Sequence, residues 1–287
     1  MIKNILIEAA KQLHGYTDTP RLDAELLMMH YLRFNRTDLI VNNSVSLSDT
    51  ERRQYFELVK RRLDGEPIAY ITGVKEFWGH QFKVNKEVLI PRPETELIIE
   101  KALSLIEKLP QPLRILDLGT GSGAIIVSLV DELKKRKLEF EAFAVDVSEK
   151  ALSIARENAK CIGVEADITF LLGSWFSPLA VNQQFSLILS NPPYIAEGDK
   201  RVSKETFFEP RSALYAGDDG LSDIKQLIAE LPRFLLKPGF FICETGYDQR
   251  ELLSDLLTHS LKDQHCLEFE FYNDYASLMR GFQISSL

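Results

Sequence analysis

Over residues 2–73 the apolar positions recur with a helical period. Ile5, Leu6, Ala9, Ala10 and Leu13 form one stripe, stopped by Gly15, and Ala24, Leu27, Met28, Tyr31 and Leu32 form a second. Ser48 followed by Glu51 is a capping box opening a third helix at Arg52, since each side chain can satisfy the other residue's free backbone N–H. This part is expected to be all-helical. Residues 76–90 alternate around Gly79 and Asn85, the pattern of a hairpin. From Arg92 the period switches repeatedly. Helices are expected over 93–108, 122–135, 148–160, 221–236 and 249–260, and strands over 114–118, 139–146, 167–172, 185–190, 239–245 and near 266–272 and 278–285. Such alternation implies an α/β fold, with a mostly parallel sheet covered by helices on both faces. The last two strands would add an antiparallel edge. The expected organisation is a helical domain over 1–75, a hairpin linker over 76–91 and an α/β domain over 92–287.

Two strand ends carry candidate chemistry. The apolar run Phe185–Ser190 stops at Asn191-Pro192-Pro193-Tyr194, because proline cannot donate to a ladder and forces extended geometry on the residue before it. That strand end offers an amide side chain, unpaired carbonyls and an aromatic ring, which together suit a planar –NH2 group. Arg114–Leu118 is followed by Gly119-Thr120-Gly121-Ser122-Gly123 and then by the apolar helix from Ala124. Strand, glycine loop and helix form a nucleotide-type binding turn, in which glycines let a ligand approach the backbone. The spacing matches neither the dinucleotide fingerprint nor a P-loop. The strand ending at Asp146, 23 residues beyond Gly123, supplies a carboxylate that can take both hydroxyls of a ribose.

Composition narrows the class. A net charge of -8 argues against a protein that tracks duplex nucleic acid through phosphate contacts. No apolar run approaches the ~18 residues of a membrane span, and the N-terminus lacks a signal peptide's layout. Cys161, Cys243 and Cys266 are widely spaced and fit a reducing compartment, and neither they nor the histidines show metal-ligand spacing. No metal is expected. The Lys134–Lys137 run reads as a solvated helix end.

The glycine loop, the ribose acid and Asn191–Tyr194 together resemble the S-adenosylmethionine-dependent amino-methyltransferases. Within these the chain is similar to the release-factor glutamine methyltransferases, the HemK/PrmC family. Stretches that carry the likeness include Pro20–Leu27, Gly65–Gly73, Glu76–Gly79, Pro91-Arg92-Pro93-Glu94-Thr95-Glu96, Phe208–Arg211 and Gly217–Leu221. At Asp274–Arg280 the chain departs, with Ser277-Leu278-Met279 where the family usually has glycine and charged residues. The resemblance implies a class I methyltransferase fold, with S-adenosylmethionine at Gly119, Thr120, Gly121, Ser122, Gly123, Asp146, Trp175 and Asn191. It implies a protein substrate, a class I peptide chain release factor, held at Asn191, Pro192, Pro193 and Tyr194 and recognised partly by the helical domain. Asn191, Pro192 and Tyr194 would be catalytic. A monomer acting in the cytoplasm, without nucleic acid or membrane, is expected. Arg92 and Glu94 read as structural, and Glu209-Pro210-Arg211 as either a functional loop or a brace for the next helix. An enzyme methylating adenine N6 in nucleic acid would use the same tetrapeptide on a flipped base. A non-catalytic helical scaffold is a further alternative.

Overall fold

A computed structural model describes residues 1–262, 264 and 266–286. The chain divides into two compact units, Met1–Val74 with Ser203–Phe208, and Lys75–Val202 with Glu209–Leu287.

The first unit holds α1 (Ile2–Leu13), α2 (Pro20–Leu32), α3 (Arg36–Val41), α4 (Asp49–Leu63) and α5 (Ile68–Thr72). The expected Ser48–Glu51 capping box opens α4. The stripes read from the sequence meet in one core, in which Leu13, Leu27 and Tyr55 are fully buried and the Tyr55 hydroxyl donates to the Ala24 carbonyl at 3.0 Å. Arg62 is buried and pairs with Asp23 at 2.8 Å and with Glu205 at 2.6 Å. A buried guanidinium needs such partners, which accounts for the distant segment Ser203–Phe208 belonging to this unit.

A two-stranded sheet follows, β1 (Val74–Phe77), which begins on the last residue of the stretch Met1–Val74, and β2 (His80–Lys83) in the second unit. The hairpin is shorter than the 76–90 pattern suggests, and residues 84–91 are irregular. Phe77 and Phe82 pack edge to face beneath it. The long helix expected at 93–108 is broken at both ends: a 3-10 turn Pro93–Thr95, then α6 (Glu96–Leu105), then a 3-10 turn Ile106–Lys108. Pro93 pre-sets the first turn, where a missing N–H costs nothing.

The remaining elements are β3 (Leu113–Leu118), α7 (Ala124–Lys135), β4 (Phe140–Asp146), α8 (Glu149–Ile162), β5 (Ile168–Leu172), β6 (Phe185–Ser190), α9 (Ser222–Phe234), β7 (Leu235–Glu244), α10 (Arg250–Ser260), β8 (Leu267–Asn273) and β9 (Met279–Ser286). The strand order is β5-β4-β3-β6-β7-β9-β8. The first five are parallel, and β9 runs antiparallel between β7 and β8. Alternate side chains feed two cores: Ile115, Leu187 and Ile242 with α6, α7 and α8 on one face, and Leu116, Ile188 and Phe241 with α9 and α10 on the other. Every residue of β6 is buried, as a central parallel strand requires.

Two further boundaries differ from the periodic reading. The helix expected to run to 236 ends at Phe234, and β7 begins at Leu235 rather than 239. The β6–β7 register jumps between Phe185 and Leu187, and the slip accommodates Pro238, which has no N–H to give. Asn158 is fully buried; its Oδ1 accepts from the Lys83 amide at 2.7 Å and its Nδ2 donates to the Ser122 carbonyl at 2.9 Å, tying the hairpin to the glycine loop. In the C-terminal turn Ser277 adopts φ 65°, a conformation that glycine takes most readily. Asp274 still closes the turn by accepting from Arg280 Nε at 2.8 Å.

A Cβ at Gly281 would lie 2.1 Å from the Cys243 carbonyl oxygen and 2.4 Å from the Tyr272 hydroxyl, with a strand on each side. Gly281→Ala should cost about 1–3 kcal/mol of stability, the usual range for overpacking. Urea denaturation would measure it, and a loss below a few tenths would mean that β9 shifts without strain.

Candidate active site

The order of strands decides where the two motifs meet. From β3 the chain moves outward to β4 and β5, then crosses back to lay β6 on the other side of β3. This is a topological switch point, where open α/β sheets bind ligands at the carboxyl ends of strands. Leu118 pairs with Ser190, so the glycine loop and Asn191 leave neighbouring strand ends.

A cavity of about 360 Å³ opens there, lined by Gly119, Gly121, Asp146, Trp175, Asn191 and Pro193, together with Leu89, Pro210, Ser212 and others. Gly119 has φ 74°, and a Cβ on it would stand 3.3 Å from the Trp175 ring. Gly121 opens on free space, and its N–H donates to Asp146 Oδ2 at 2.8 Å. Asp146 Oδ1 accepts from the Ser148 amide at 2.9 Å. Each oxygen keeps a further lone pair. Burial raises the Asp146 pKa, and these amides work against the rise.

Other residues of the two motifs do not line this cavity. The Thr120 hydroxyl turns inward to Asp117 Oδ2 at 2.6 Å. Ser122 is buried with its carbonyl on Asn158, and Gly123 precedes α7 as its cap. Pro192 is buried. Tyr194 lines a second cavity, of about 540 Å³, with Thr245, Gln249 and Arg280. Glu209 braces the chain ahead of α6 rather than the helix that follows it: it accepts from the Ile90 amide at 3.0 Å and pairs with Arg92. Pro210 faces the cavity, while Arg211 points away to Glu197.

Asn191 is held by a polar cluster. Its Nδ2 donates to Thr95 Oγ1 at 3.1 Å, while its Oδ1 is buried without a hydrogen-bond partner. The Tyr194 hydroxyl donates to Glu244 Oε1 at 3.2 Å. Burial pushes the Glu244 carboxyl up to about 7, against the pull of the Thr95 and Tyr194 hydroxyls beside it. Burial also raises the Tyr194 phenol, and the nearby Glu244 charge adds to this. Asp117 is fully buried and likewise pushed up to about 7, with the Thr120 hydroxyl opposing the rise and the charge on Asp146 adding to it. Among the described residues no cluster of His, Cys, Asp and Glu could hold a metal ion. No helix among them is long and apolar enough to cross a membrane.

A family model described as the PrmC N-terminal domain matches residues 4–73, and one described as a methyltransferase domain matches residues 111–279. The release factor glutamine methyltransferase of Escherichia coli (strain K12) is 42% identical over 247 residues, 86% of each chain. The chain belongs to the release factor glutamine methyltransferase family. The family's enzyme from Coxiella burnetii is 41% identical over 256 residues, 89% of this chain and 90% of that one. The catalytic domain of hMettl16, solved in complex with MAT2A 3′UTR hairpin 1, superposes with a TM-score of 0.58 over 95% of this chain and 93% of that one. At 18% identity that likeness concerns the methyltransferase fold alone.

Three residues of the site escape the periodic reading. Asp117 is an acid within an apolar strand directly ahead of the glycine loop, a signal that could have marked it. Glu244 similarly ends the apolar run Phe240–Cys243. Thr95 gives no such signal, because a threonine after Pro-Arg-Pro-Glu suits a turn on local grounds.

Asp117 links the loop to pH. A carboxyl of ordinary pKa near 3.9 when unfolded and about 7 when folded favours the folded state below ~4, and that stability is lost as pH rises through 7. Asp117→Asn does not titrate. Its melting temperature relative to the native protein should therefore climb as pH goes from about 5 to 8, by about 2–4 °C for each kcal/mol. A pH-independent difference would show that Asp117 does not carry the proton.

Proposed function

We propose that this chain transfers the methyl group of S-adenosylmethionine to the side-chain amide nitrogen, N5, of the glutamine in the Gly-Gly-Gln motif of class I peptide chain release factors. The observation that carries this reading is the buried, unpartnered Oδ1 of Asn191, a residue that lines the cavity. A buried acceptor without a donor costs free energy, and a substrate –NH2 would satisfy it. The names of the relatives supply the substrate class.

The residues present fit the cofactor. Gly119 and Gly121 would let it approach the backbone, Asp146 would take the ribose hydroxyls with its remaining lone pairs, and Trp175 would flank the adenine. Thr120, Ser122 and Gly123 would shape the loop from behind. When bound, S-adenosylmethionine supplies an electrophilic methyl group on a sulfonium.

The protein's own task is set by the nucleophile. An amide nitrogen has its lone pair delocalised into the carbonyl, so removing its proton near neutral pH is too costly to serve as a first step. Asn191 Oδ1 and the Pro192 carbonyl would instead each accept one N–H, fixing the direction of the lone pair. Tyr194 would pack against the planar amide, with its hydroxyl anchored on Glu244. The methylated nitrogen is a much stronger acid than the amide and sheds its extra proton without a dedicated base. Placement of this kind can be worth ~7–11 kcal/mol.

The helical unit would recognise the release factor, and the enzyme would act as a cytoplasmic monomer on protein rather than on nucleic acid. Labelled cofactor offered to purified release factor and, separately, to DNA and RNA tests the substrate class: label is expected on the protein only, and label on nucleic acid would favour adenine methylation. A variant lacking residues 1–73 should keep cofactor affinity, measured by calorimetry, but methylate intact release factor poorly. Full activity would give the helices another role.

Asn191→Ala should slow single-turnover transfer at least about tenfold, a barrier increase of ~1.4 kcal/mol or more, with cofactor affinity little changed. Asn191→Asp should also be slow, because it has no N–H to give Thr95. An alanine variant within a factor of a few of the native rate would remove Asn191 from the mechanism.

A further inference from the structure

We propose that the cofactor cavity reads the charge of its ligand, and that Asp223 is the residue that raises its affinity for the cationic S-adenosylmethionine relative to the neutral product, S-adenosylhomocysteine. This rests on the reading of the cavity as the cofactor site and on no assumption about the acceptor.

The walls are one-sided in charge. Glu87, Asp146 and Asp223 line the cavity, and no Lys, Arg or His is among the described residues that do so. A cleft walled by one sign of charge concentrates ligands of the other sign. Phosphates would be repelled. S-adenosylmethionine suits such a wall, because its sulfonium and ammonium outweigh its one carboxylate and leave a net positive charge.

The three carboxylates are not equivalent. Glu87 is paired with Lys150 at 3.1 Å. Asp146 is held by the Gly121 and Ser148 amides, and the ribose hydroxyls would take its remaining lone pairs. Asp223 is half-buried and accepts the Ser222 hydroxyl at 3.2 Å, and among the described residues it forms no ion pair. An acid in the first turn of a helix suits the dipole. That accounts for a carboxylate at the head of α9, but not for its bordering a cavity without cations.

The fold puts Asp223 at the reacting end. Gly220, three residues before it, has φ 70°, and a Cβ there would meet the Tyr194 carbonyl oxygen at 2.4 Å. Gln249 Nε2 joins the two, donating to the Tyr194 carbonyl at 3.0 Å and to the Gly220 carbonyl at 3.3 Å. The Ser222 amide donates to the Ala216 carbonyl at 3.2 Å, and the Ala216 amide donates to the Ile195 carbonyl at 2.9 Å. The head of α9 is thereby clamped to the end of the tetrapeptide. Asp146 and Trp175 lie after β4 and β5, on the other side of the glycine loop. The methyl group has to reach the acceptor at Asn191, so the sulfonium belongs at the Asn191 end.

The reaction changes the charge that the wall meets. The C–S bond breaks with its electron pair left on sulfur, the N–C bond forms, and the nitrogen sheds its extra proton to water. The sulfonium becomes an uncharged thioether, and the ligand loses its net charge. Asp223 then attracts the product less than it attracted the cofactor, which favours exchange after each turnover.

The experiment is calorimetry on the full chain, native and substituted, with three ligands: S-adenosylmethionine, S-adenosylhomocysteine, and sinefungin, in which an amino-bearing carbon replaces the methylated sulfur and restores the positive charge. Asp223→Asn should weaken both cationic ligands about fivefold or more, ~1 kcal/mol, and the neutral product less than about twofold. Asp223→Glu, which keeps the charge, should hold the native ratio of affinities to within about twofold. An equal loss for all three ligands marks a role in shape or hydrogen bonding and overturns the proposal. So does the absence of any loss, a loss confined to one of the two cations, or a glutamate variant with the asparagine variant's ratio. Melting curves check folding, and if Asp223→Asn does not fold, Asp223→Ser is read by the same criteria. If the native protein binds none of the three ligands, the cofactor reading itself fails, and the two failures are thereby distinguished.

Discussion

The parallel ladder between β3 and β6 is the contact on which the site depends. It spans Ile115–Leu118 against Leu187–Ser190, and it brings together two loops separated by some seventy residues of chain. Both strands are buried on both faces, so their register is held by packing above and below as well as by backbone hydrogen bonds. A slip of one residue would turn Leu116 and Ile188 out of one core and into the other. The glycine loop and Asn191 are neighbours only in the native register. Ser190 reinforces it, donating from its hydroxyl to the Leu118 carbonyl at 2.8 Å.

Around that ladder stand three carboxyls, Asp117 and Glu244 buried and Asp146 partly so, each raised in pKa mainly by loss of water. Their partners differ, and so do their parts in the site. Asp146 is compensated by backbone amides and steadies the glycine loop. Asp117 lies behind that loop and receives the Thr120 hydroxyl. Glu244 collects the Tyr194 hydroxyl beside Asn191. Charge in such poorly solvated surroundings acts strongly on nearby dipoles, so a few fixed groups can orient an amide that has no charge of its own.

Much of the fold was legible because its rules are local. A buried parallel strand must be apolar along its length, a helix must show its stripe, and proline must end a ladder. The helical run over 2–73, the strands around Ile115 and Leu187, and the placing of Asp146 at a strand end all follow from spacing. Errors gathered where a local rule met a distant partner. The register slip in β7 let a strand begin ahead of Pro238. The hairpin after β1 ended early because residues 84–91 run as irregular chain toward Ile90, which donates to Glu209. Of the two readings of Glu209-Pro210-Arg211, functional loop or brace for the following helix, the brace does not hold at Glu209 for the same reason, since its partners Ile90 and Arg92 lie far back along the chain.

The sequence by itself determined the alternation of elements, the glycine turn, the proline-ended strand and the family likeness. Only the tertiary structure decided that Asn191 Oδ1 is left without a partner, that Thr95 receives Nδ2, and that Glu244 and Asp117 sit deep enough to titrate near neutrality. The physical reason is range. Backbone conformation answers mainly to residues a few positions away. A hydrogen-bond partner or a shifted pKa answers to whatever the fold brings close in space, and Thr95, Asn191 and Glu244 have nothing in their spacing along the chain that predicts their meeting.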